Sequence, residues 1–137
     1  MNTLDKATVT IARLLLATLF IPAGFNKIVG YAGTQAFMES AGVPGVLLPL
    51  VILLELGGGL ALAAGMLTRL TAAALAFFSL SAALIFHADF SMAGEMNAFL
   101  KNLAIAGGLM LLVRASSLGW GVDEWYGQFR KARSQGA

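Results

Sequence analysis

The sequence contains no cysteine, and this absence excludes several kinds of chemistry at once. Disulfides, thiolate metal sites, cysteine nucleophiles and thiol redox relays all require that residue. Histidine occurs once, at His87, and a single imidazole does not make a metal site. The sequence therefore predicts no metal site, no covalently bound cofactor and no catalytic residue set of a recognised type.

Charge is also scarce, because 12% of the 137 residues are charged while 58% are hydrophobic. An ordinary soluble domain carries roughly a quarter charged residues, so this composition is typical of an integral membrane protein. Spans of about 20 residues would use most of the chain and leave no room for a separate catalytic domain. The basic residues are dispersed, which argues against nucleic acid as a partner and in favour of the lipid bilayer.

Four apolar segments predict an all-α, integral membrane four-helix bundle formed by one domain, 1–137. The predicted spans are about 7–28, 46–66, 70–86 and 98–113. A cleaved signal peptide is the alternative for the first, but Arg13 lies inside the run and no clean small-x-small cleavage site follows. Short amphipathic interfacial helices are predicted between the first two spans and at the aromatic and basic C-terminus.

The lysines and arginines predict the orientation of the bundle, because they are enriched on the cytoplasmic side of membrane proteins. With a cytoplasmic N-terminus, Lys27 and Lys101 are the two of the nine that fall on the far side. Both termini are then cytoplasmic, and the protein is predicted to be a multi-pass protein of a bacterial cytoplasmic membrane.

Glu55 is the most informative residue, because it lies near the middle of the second span. A charge at that depth costs roughly 2.5 kcal/mol or more, so the carboxyl group must be protonated, paired or in a wet cavity. Its candidate partners are Lys27 and Lys101, which with His87 and Asn102 occupy the outer layer of the bundle. Helix rise places Glu55 about 10 Å deeper than that layer. These five residues are the predicted ligand-binding or buried polar cluster.

Each of the other polar residues also has a structural interpretation. Lys27 alone is more often an interfacial anchor, and His87 alone an interfacial histidine. Lys101 is predicted to point into the bundle, although it could snorkel outward, and Asn102 is predicted to make an interhelical hydrogen bond. Arg13 either snorkels toward the cytoplasm or forms a second buried ion pair.

Small residues at intervals of four predict where the helices approach one another closely. Gly57, Ala61 and Gly65 form such a stripe in the second span, and Ala104 and Gly108 form one in the fourth. Stripes of this kind let membrane helices pack at short distance, so we interpret both as packing surfaces.

The order of these residues resembles the DoxX family of small bacterial membrane proteins. The resemblance is carried by three pieces, which together span nearly the whole chain: Arg13 with 24–27 (GFNK), 43–44 (VP) leading to Glu55 and Gly65, and 99–104 (FLKNLA) with 107–108 (GG). The resemblance implies a four-helix bundle in a bacterial cytoplasmic membrane.

The same resemblance implies an association with membrane redox systems, because the family takes its name from the small subunit of a thiosulfate:quinone oxidoreductase. By that analogy the polar cluster holds a quinone head, with Lys27 or Lys101 donating a hydrogen bond and Glu55 exchanging a proton. The chain has no cysteine for an iron–sulfur cluster, so a membrane redox partner subunit would have to supply electrons.

Three hypotheses about function follow, and the sequence leaves open whether the protein is an enzyme and whether it forms a homo-oligomer. The leading one is a quinone-interacting or anchoring subunit of a membrane oxidoreductase. The second is a small proton-coupled transporter that uses Glu55 as its proton site. The third is a membrane assembly or scaffold factor without chemistry of its own.

Overall fold

The computed structural model describes residues 2–115 and 118–135, which fold into helices and turns as the sequence predicts. The α-helices are α1 (Thr3–Val29), α2 (Tyr31–Ser40), α3 (Leu48–Ile52), α4 (Gly58–Ala64), α5 (Thr68–Phe86), α6 (Glu95–Arg114) and α7 (Val122–Gln135). A 3-10 turn, Gly45–Leu47, precedes α3, and a π-helical turn, Leu53–Gly57, joins α3 to α4. These four pieces form one continuous helical segment, Gly45–Ala64, which we call the second span.

Four segments, namely α1, the second span, α5 and α6, are long and apolar enough to cross a membrane. Their bounds agree with the predicted spans to within a few residues. The largest difference is at the start of α1, which begins at Thr3 because the side chain of Asn2 accepts a hydrogen bond of 3.0 Å from the backbone N–H of Asp5. A cap of this kind satisfies one of the free N–H groups at the start of a helix.

Large apolar side chains cover the outside of the bundle, as hydrocarbon surroundings require. Leu15, Phe77 and Leu111 are exposed by 66%, 74% and 75%. The core is formed by smaller and aliphatic residues from all four spans, among them Ala17, Leu62, Ala72, Leu75 and Leu109. The arrangement is that of a bundle whose apolar surface faces lipid.

Glycines allow a close approach between α1 and the second span. A Cβ atom added at Gly24 would lie 2.6 Å from the backbone nitrogen of Leu56, and one at Gly59 would lie 2.8 Å from Ile21. A Cβ at Gly58 would meet Leu75 of α5 at 3.2 Å. The absence of side chains at these positions therefore sets the distance between the first three spans.

The predicted packing role holds for Gly65 but not for the rest of the two small-residue stripes. Gly65 is buried, and a Cβ there would collide with the guanidinium of Arg13 in α1. A Cβ at Gly57 would meet only Leu53 of its own segment, while Ala104 is exposed and a Cβ at Gly108 would meet nothing within 4 Å. Spacing alone does not specify which helix face is buried. In the second span the buried face is defined instead by Leu48, Glu55, Gly59 and Leu62.

The two ends of the bundle differ. We call the end that contains Lys27, α2 and the loop 87–94 the hollow end, and the end that contains the loop 65–67 and the segment 118–122 the closed end. The predicted assignment places the closed end in the cytoplasm, because most of the basic residues lie there. An ion pair between Lys6 and Glu124 holds the beginning of α1 next to α7 at the closed end.

Candidate functional site

A buried ion pair between α1 and the second span is the centre of the candidate site. The Nζ atom of Lys27 lies 2.7 Å from Oε2 of Glu55, and the Glu55 side chain is 7% exposed. Lys27 reaches the deeper Glu55 because α1 and the second span lie close together here. Gly24, one turn before Lys27, packs against Leu56, the residue next to Glu55. Of the two predicted partners for Glu55, the structure thus selects Lys27. The pairing compensates a charge that would be costly alone at this depth.

The π-helical turn Leu53–Gly57 places Glu55 at this position. A π-helical turn inserts one extra residue into an α-helix, weakens the regular backbone bonding locally and occurs frequently at functional sites. Three consecutive glycines, 57–59, begin at the last residue of the turn and add no side-chain bulk there. The sequence analysis did not predict this turn, because an apolar run with a single acidic residue predicts an ordinary α-helix.

A cavity of about 410 Å³ opens beside the ion pair at the hollow end of the bundle. Its wall is mainly apolar, with Leu19, Phe20, Met38, Phe78 and Ile105 among the lining residues. All five residues of the predicted polar cluster also line it, namely Lys27, Glu55, His87, Lys101 and Asn102. The structure therefore brings the predicted cluster together around one space.

Helix α2 lies against this cavity at the hollow end. Thr34, Phe37 and Met38 of α2 line the cavity, and Met38 is 4% exposed. The ring of Phe37 stacks on Phe86 at the end of α5, with 5.3 Å between the ring centroids. The helix that the sequence predicts between the first two spans is thus confirmed, and it contributes directly to the wall of the cavity.

His87 has a partner that the sequence analysis did not identify. Its Nδ1 atom lies 2.6 Å from Oε2 of Glu95, at the start of α6. Both side chains are about one-quarter exposed, at 27% and 26%. The loop 88–94 returns the chain so that the two residues meet, and spacing in the sequence does not predict such a return. His87 is therefore part of a polar pair and not an isolated interfacial histidine.

Lys101 and Asn102 differ from the prediction in their contacts. Lys101 lines the cavity yet is exposed, so it lies at the rim of the cavity and not within the bundle. The amide Nδ2 of Asn102 donates a hydrogen bond of 3.0 Å to the backbone carbonyl of Ala98, in its own helix. The predicted interhelical hydrogen bond is wrong, because the carbonyl one turn earlier offers a nearer acceptor.

The loop at the hollow end adds a fixed negative charge outside the spans. Ser91 donates hydrogen bonds to Oδ1 of Asp89 from its hydroxyl group and from its backbone N–H, which hold the pKa of that carboxyl group below its ordinary value. Asp89 is not among the residues that line the cavity. Its charge therefore belongs to the aqueous surface of the hollow end.

Arg13 at the closed end is the second buried charge, and both predictions for it are wrong. Its side chain is fully buried, so it does not snorkel. Its guanidinium donates hydrogen bonds to the backbone carbonyls of Leu62, at 3.3 Å, and of Trp120. Asp123 interacts with it electrostatically without forming an ion pair, because that carboxylate accepts hydrogen bonds from the backbone at the start of α5.

Comparison with known proteins assigns the chain to a family. The model of the DoxX family matches residues 8–88, which contain Lys27, Glu55 and His87. The chain belongs to the DoxX family. It is 50% identical to the inner membrane protein YqjF of Escherichia coli (strain K12) over 123 residues. This aligned segment is 90% of this chain and 95% of the relative.

A second relative supports the same assignment. The inner membrane protein YphA of Escherichia coli (strain K12) is 35% identical over 109 residues, which is 74% of this chain and 78% of the relative. No solved structure matches the chain. With four candidate spans and relatives of this kind, the DoxX protein described here is a multi-pass protein of the inner membrane.

Proposed function

We propose that this DoxX protein binds the head group of a quinone in its cavity and acts as a quinone-interacting or anchoring subunit of a membrane oxidoreductase. The observation that carries the proposal is an apolar cavity within the spans that contains the buried Lys27–Glu55 ion pair. Intramembrane charges of this kind are rare, and they mark ligand or proton pathways more often than they serve packing.

The dimensions and lining of the cavity support this ligand class. Pockets for small molecules have volumes of roughly 300–1,000 Å³ and combine an apolar wall with a few polar groups. The cavity of about 410 Å³ falls in that range. Phe20, Phe37 and Phe78 offer surfaces for a flat ring. A quinone has this shape, with an apolar ring, two carbonyl acceptors and a tail that can extend into lipid.

The ion pair supplies the polar part of the proposed site. Reduction of a quinone to a quinol adds two electrons and two protons to the two carbonyl oxygens. Glu55, which lines the cavity and is ion-paired with Lys27, is the carboxyl group that exchanges one of these protons with the head, and water at the open side of the cavity exchanges the other. The electrons come from a partner subunit, because this chain offers no cysteine ligands for an iron–sulfur cluster.

The experiment that tests the proposal is mass spectrometry of the small molecules that remain with the protein in native nanodiscs. We expect a stoichiometric quinone with the natural protein and at least a tenfold smaller amount with Glu55→Gln. Glu39→Gln is the matched control, since Glu39 is an exposed carboxylate of α2 that does not line the cavity. Recovery of phospholipid alone with the natural protein overturns the proposal.

A proton-coupled transporter is the second candidate, because the second span departs from α-helical geometry at Glu55. Interrupted helices near the middle of the membrane form the binding sites of many transporters. Proteoliposomes with a pH-sensitive dye inside distinguish the two functions. A proton flux that Glu55→Gln abolishes, in vesicles that contain no quinone, favours transport over quinone binding.

A further inference from the structure

We infer that Lys101 binds an oxygen of the quinone head, whereas Lys27 serves to hold the carboxylate of Glu55. The inference rests on the proposed function and assigns different roles to the two lysines of the cavity. The sequence alone leaves the choice between Lys27 and Lys101 open. Three features of the cavity decide it: the pairing of the charges, the donors available on α6 and the position of Lys101 at the rim.

The pairing of charges distinguishes the two lysines. Lys27 is held 2.7 Å from Glu55, so its charge is balanced by a carboxylate. His87 is held by Glu95 in the same way, at 2.6 Å. For Lys101, no carboxylate of the described residues 2–115 and 118–135 lies within ion-pair distance. Lys101 is thus the cavity cation whose ammonium group remains available to a ligand.

The other polar residue of α6 that lines the cavity, Asn102, cannot replace Lys101 as readily. Asn102 already donates its amide N–H to the carbonyl of Ala98, one turn earlier in the same helix. Lys101 and Ile105 are one helical turn apart and both line the cavity. A lysine at the rim therefore stands next to an apolar wall, which suits a ring with an oxygen at its edge.

The chemistry of an ammonium group suits a quinone oxygen. A hydrogen bond from a charged donor is roughly twice as strong as one from a neutral donor, and low-dielectric surroundings strengthen it further. Its strength also increases as negative charge develops on the oxygen during reduction. Lys101 lies on α6, whereas the Lys27–Glu55 pair lies on α1 and the second span. The two oxygens of one quinone ring can therefore contact different polar groups.

The experiment compares two flat ligands that differ in their oxygens, menadione and methylnaphthalene. Equilibrium dialysis against protein in nanodiscs measures the affinity of each, and empty nanodiscs correct for partition into lipid. Five proteins are compared: the natural chain, Lys101→Met, Lys101→Arg, Lys27→Met, and the control Lys131→Met, which removes an exposed lysine of α7 at the closed end.

We expect the natural protein to bind menadione about tenfold or more tightly than methylnaphthalene, because a hydrogen bond to a charged donor contributes to that extent. In Lys101→Met this preference should disappear while the affinity for methylnaphthalene stays unchanged. Lys101→Arg should keep most of the preference, and Lys131→Met all of it. An unchanged hydrocarbon affinity shows that the cavity itself is intact.

Other outcomes overturn the inference in distinguishable ways. If the natural protein prefers menadione and Lys101→Met keeps that preference, the assignment to Lys101 is wrong although quinone binding stands. Loss of the preference in Lys27→Met alone would transfer the role to Lys27. If the natural protein binds both ligands equally, the proposed quinone site and the inference fail together.

Discussion

The two buried charged residues, Arg13 and Glu55, lie toward opposite ends of one bundle and have different surroundings. At the closed end, Arg13 is packed against the backbone of the loop 65–67 and of the segment 118–122, and its hydrogen bonds go to main-chain carbonyls. At the hollow end, Glu55 is paired with a side chain and stands beside a cavity. One charge is surrounded by protein, and the other borders open space.

The difference indicates that burial of Arg13 stabilises the fold, whereas burial of Glu55 serves ligand binding. Arginine stays charged in proteins, so its buried charge needs permanent acceptors, and the backbone carbonyls that bind both terminal nitrogens of Arg13 do not titrate. A carboxyl group can gain or lose a proton, and its lysine partner can be displaced by a ligand. The closed end is therefore expected to fail by unfolding when altered, and the hollow end by loss of binding.

The largest effect is expected for Gly65→Ala at the closed end. Gly65 has φ of 65°, a conformation that favours glycine, and an added Cβ would collide with the guanidinium of Arg13 and lie 3.0 Å from Gly121. Backbone strain and overpacking together should lower the free energy of unfolding by about 3–5 kcal/mol. Thermal denaturation in mild detergent measures the change.

Gly107→Ala is the matched control, because a Cβ at Gly107 meets nothing within 4 Å. The same substitution in an open position of α6 should be neutral or slightly stabilising, since alanine is the better helix former. Equal losses of stability for Gly65→Ala and Gly107→Ala would show that the closed end is not specially packed.

A smaller effect is expected for Arg13→Met, which keeps the length of the side chain and removes the guanidinium. The carbonyls of Leu62 and Trp120 would lose their donor, and the free energy of unfolding should fall by about 2–3 kcal/mol. Menadione binding to the protein that remains folded should be unchanged. Arg130→Met, at an exposed position of α7, should change neither quantity. Loss of binding in Arg13→Met without loss of stability would contradict the division between the two ends.

An intermediate effect of a different kind is expected at the ion pair. Lys27→Met leaves Glu55 buried without its partner and should cost about 1–2 kcal/mol, because the carboxyl group can take up a proton instead of staying charged. The double variant Lys27→Met/Glu55→Gln should recover most of that stability but not quinone binding. A double-mutant cycle of melting curves measures the coupling between the two residues. Additive losses would mean that the two side chains do not stabilise each other.

The sequence predicted the fold well because the spans depend on composition. Long apolar runs specify membrane helices almost independently of what they pack against, and the four spans agree with the prediction to within a few residues. Glu55 could be singled out for the same reason, since its depth follows from its place in a run. Lys27 was named as a partner because topology brings the outer ends of the helices together.

The details of the site could not be predicted, because they depend on local departures from regular structure. The π-helical turn around Glu55, the return of the loop that joins His87 to Glu95, and the bond of Asn102 within its own helix have no signal in hydropathy. The partner of Arg13 at Trp120 is 107 residues away in the sequence. Contacts of that separation are fixed by packing and not by pattern.

The smallest effect is expected for Asp123→Asn, which tests how the closed end is held together. The two carboxylate oxygens of Asp123 accept hydrogen bonds of 2.8 Å from the backbone N–H groups of Leu67 and Thr68, so a residue of α7 caps the start of α5. Asparagine keeps one acceptor and loses the charge, and the free energy of unfolding should fall by about 1 kcal/mol. Asp5→Asn is the control, because Asp5 also lies in the first turn of a helix but is exposed. If both variants melt alike, the charge near a helix end explains the effect; a larger loss for Asp123→Asn assigns it to the two hydrogen bonds that join α7 to the bundle.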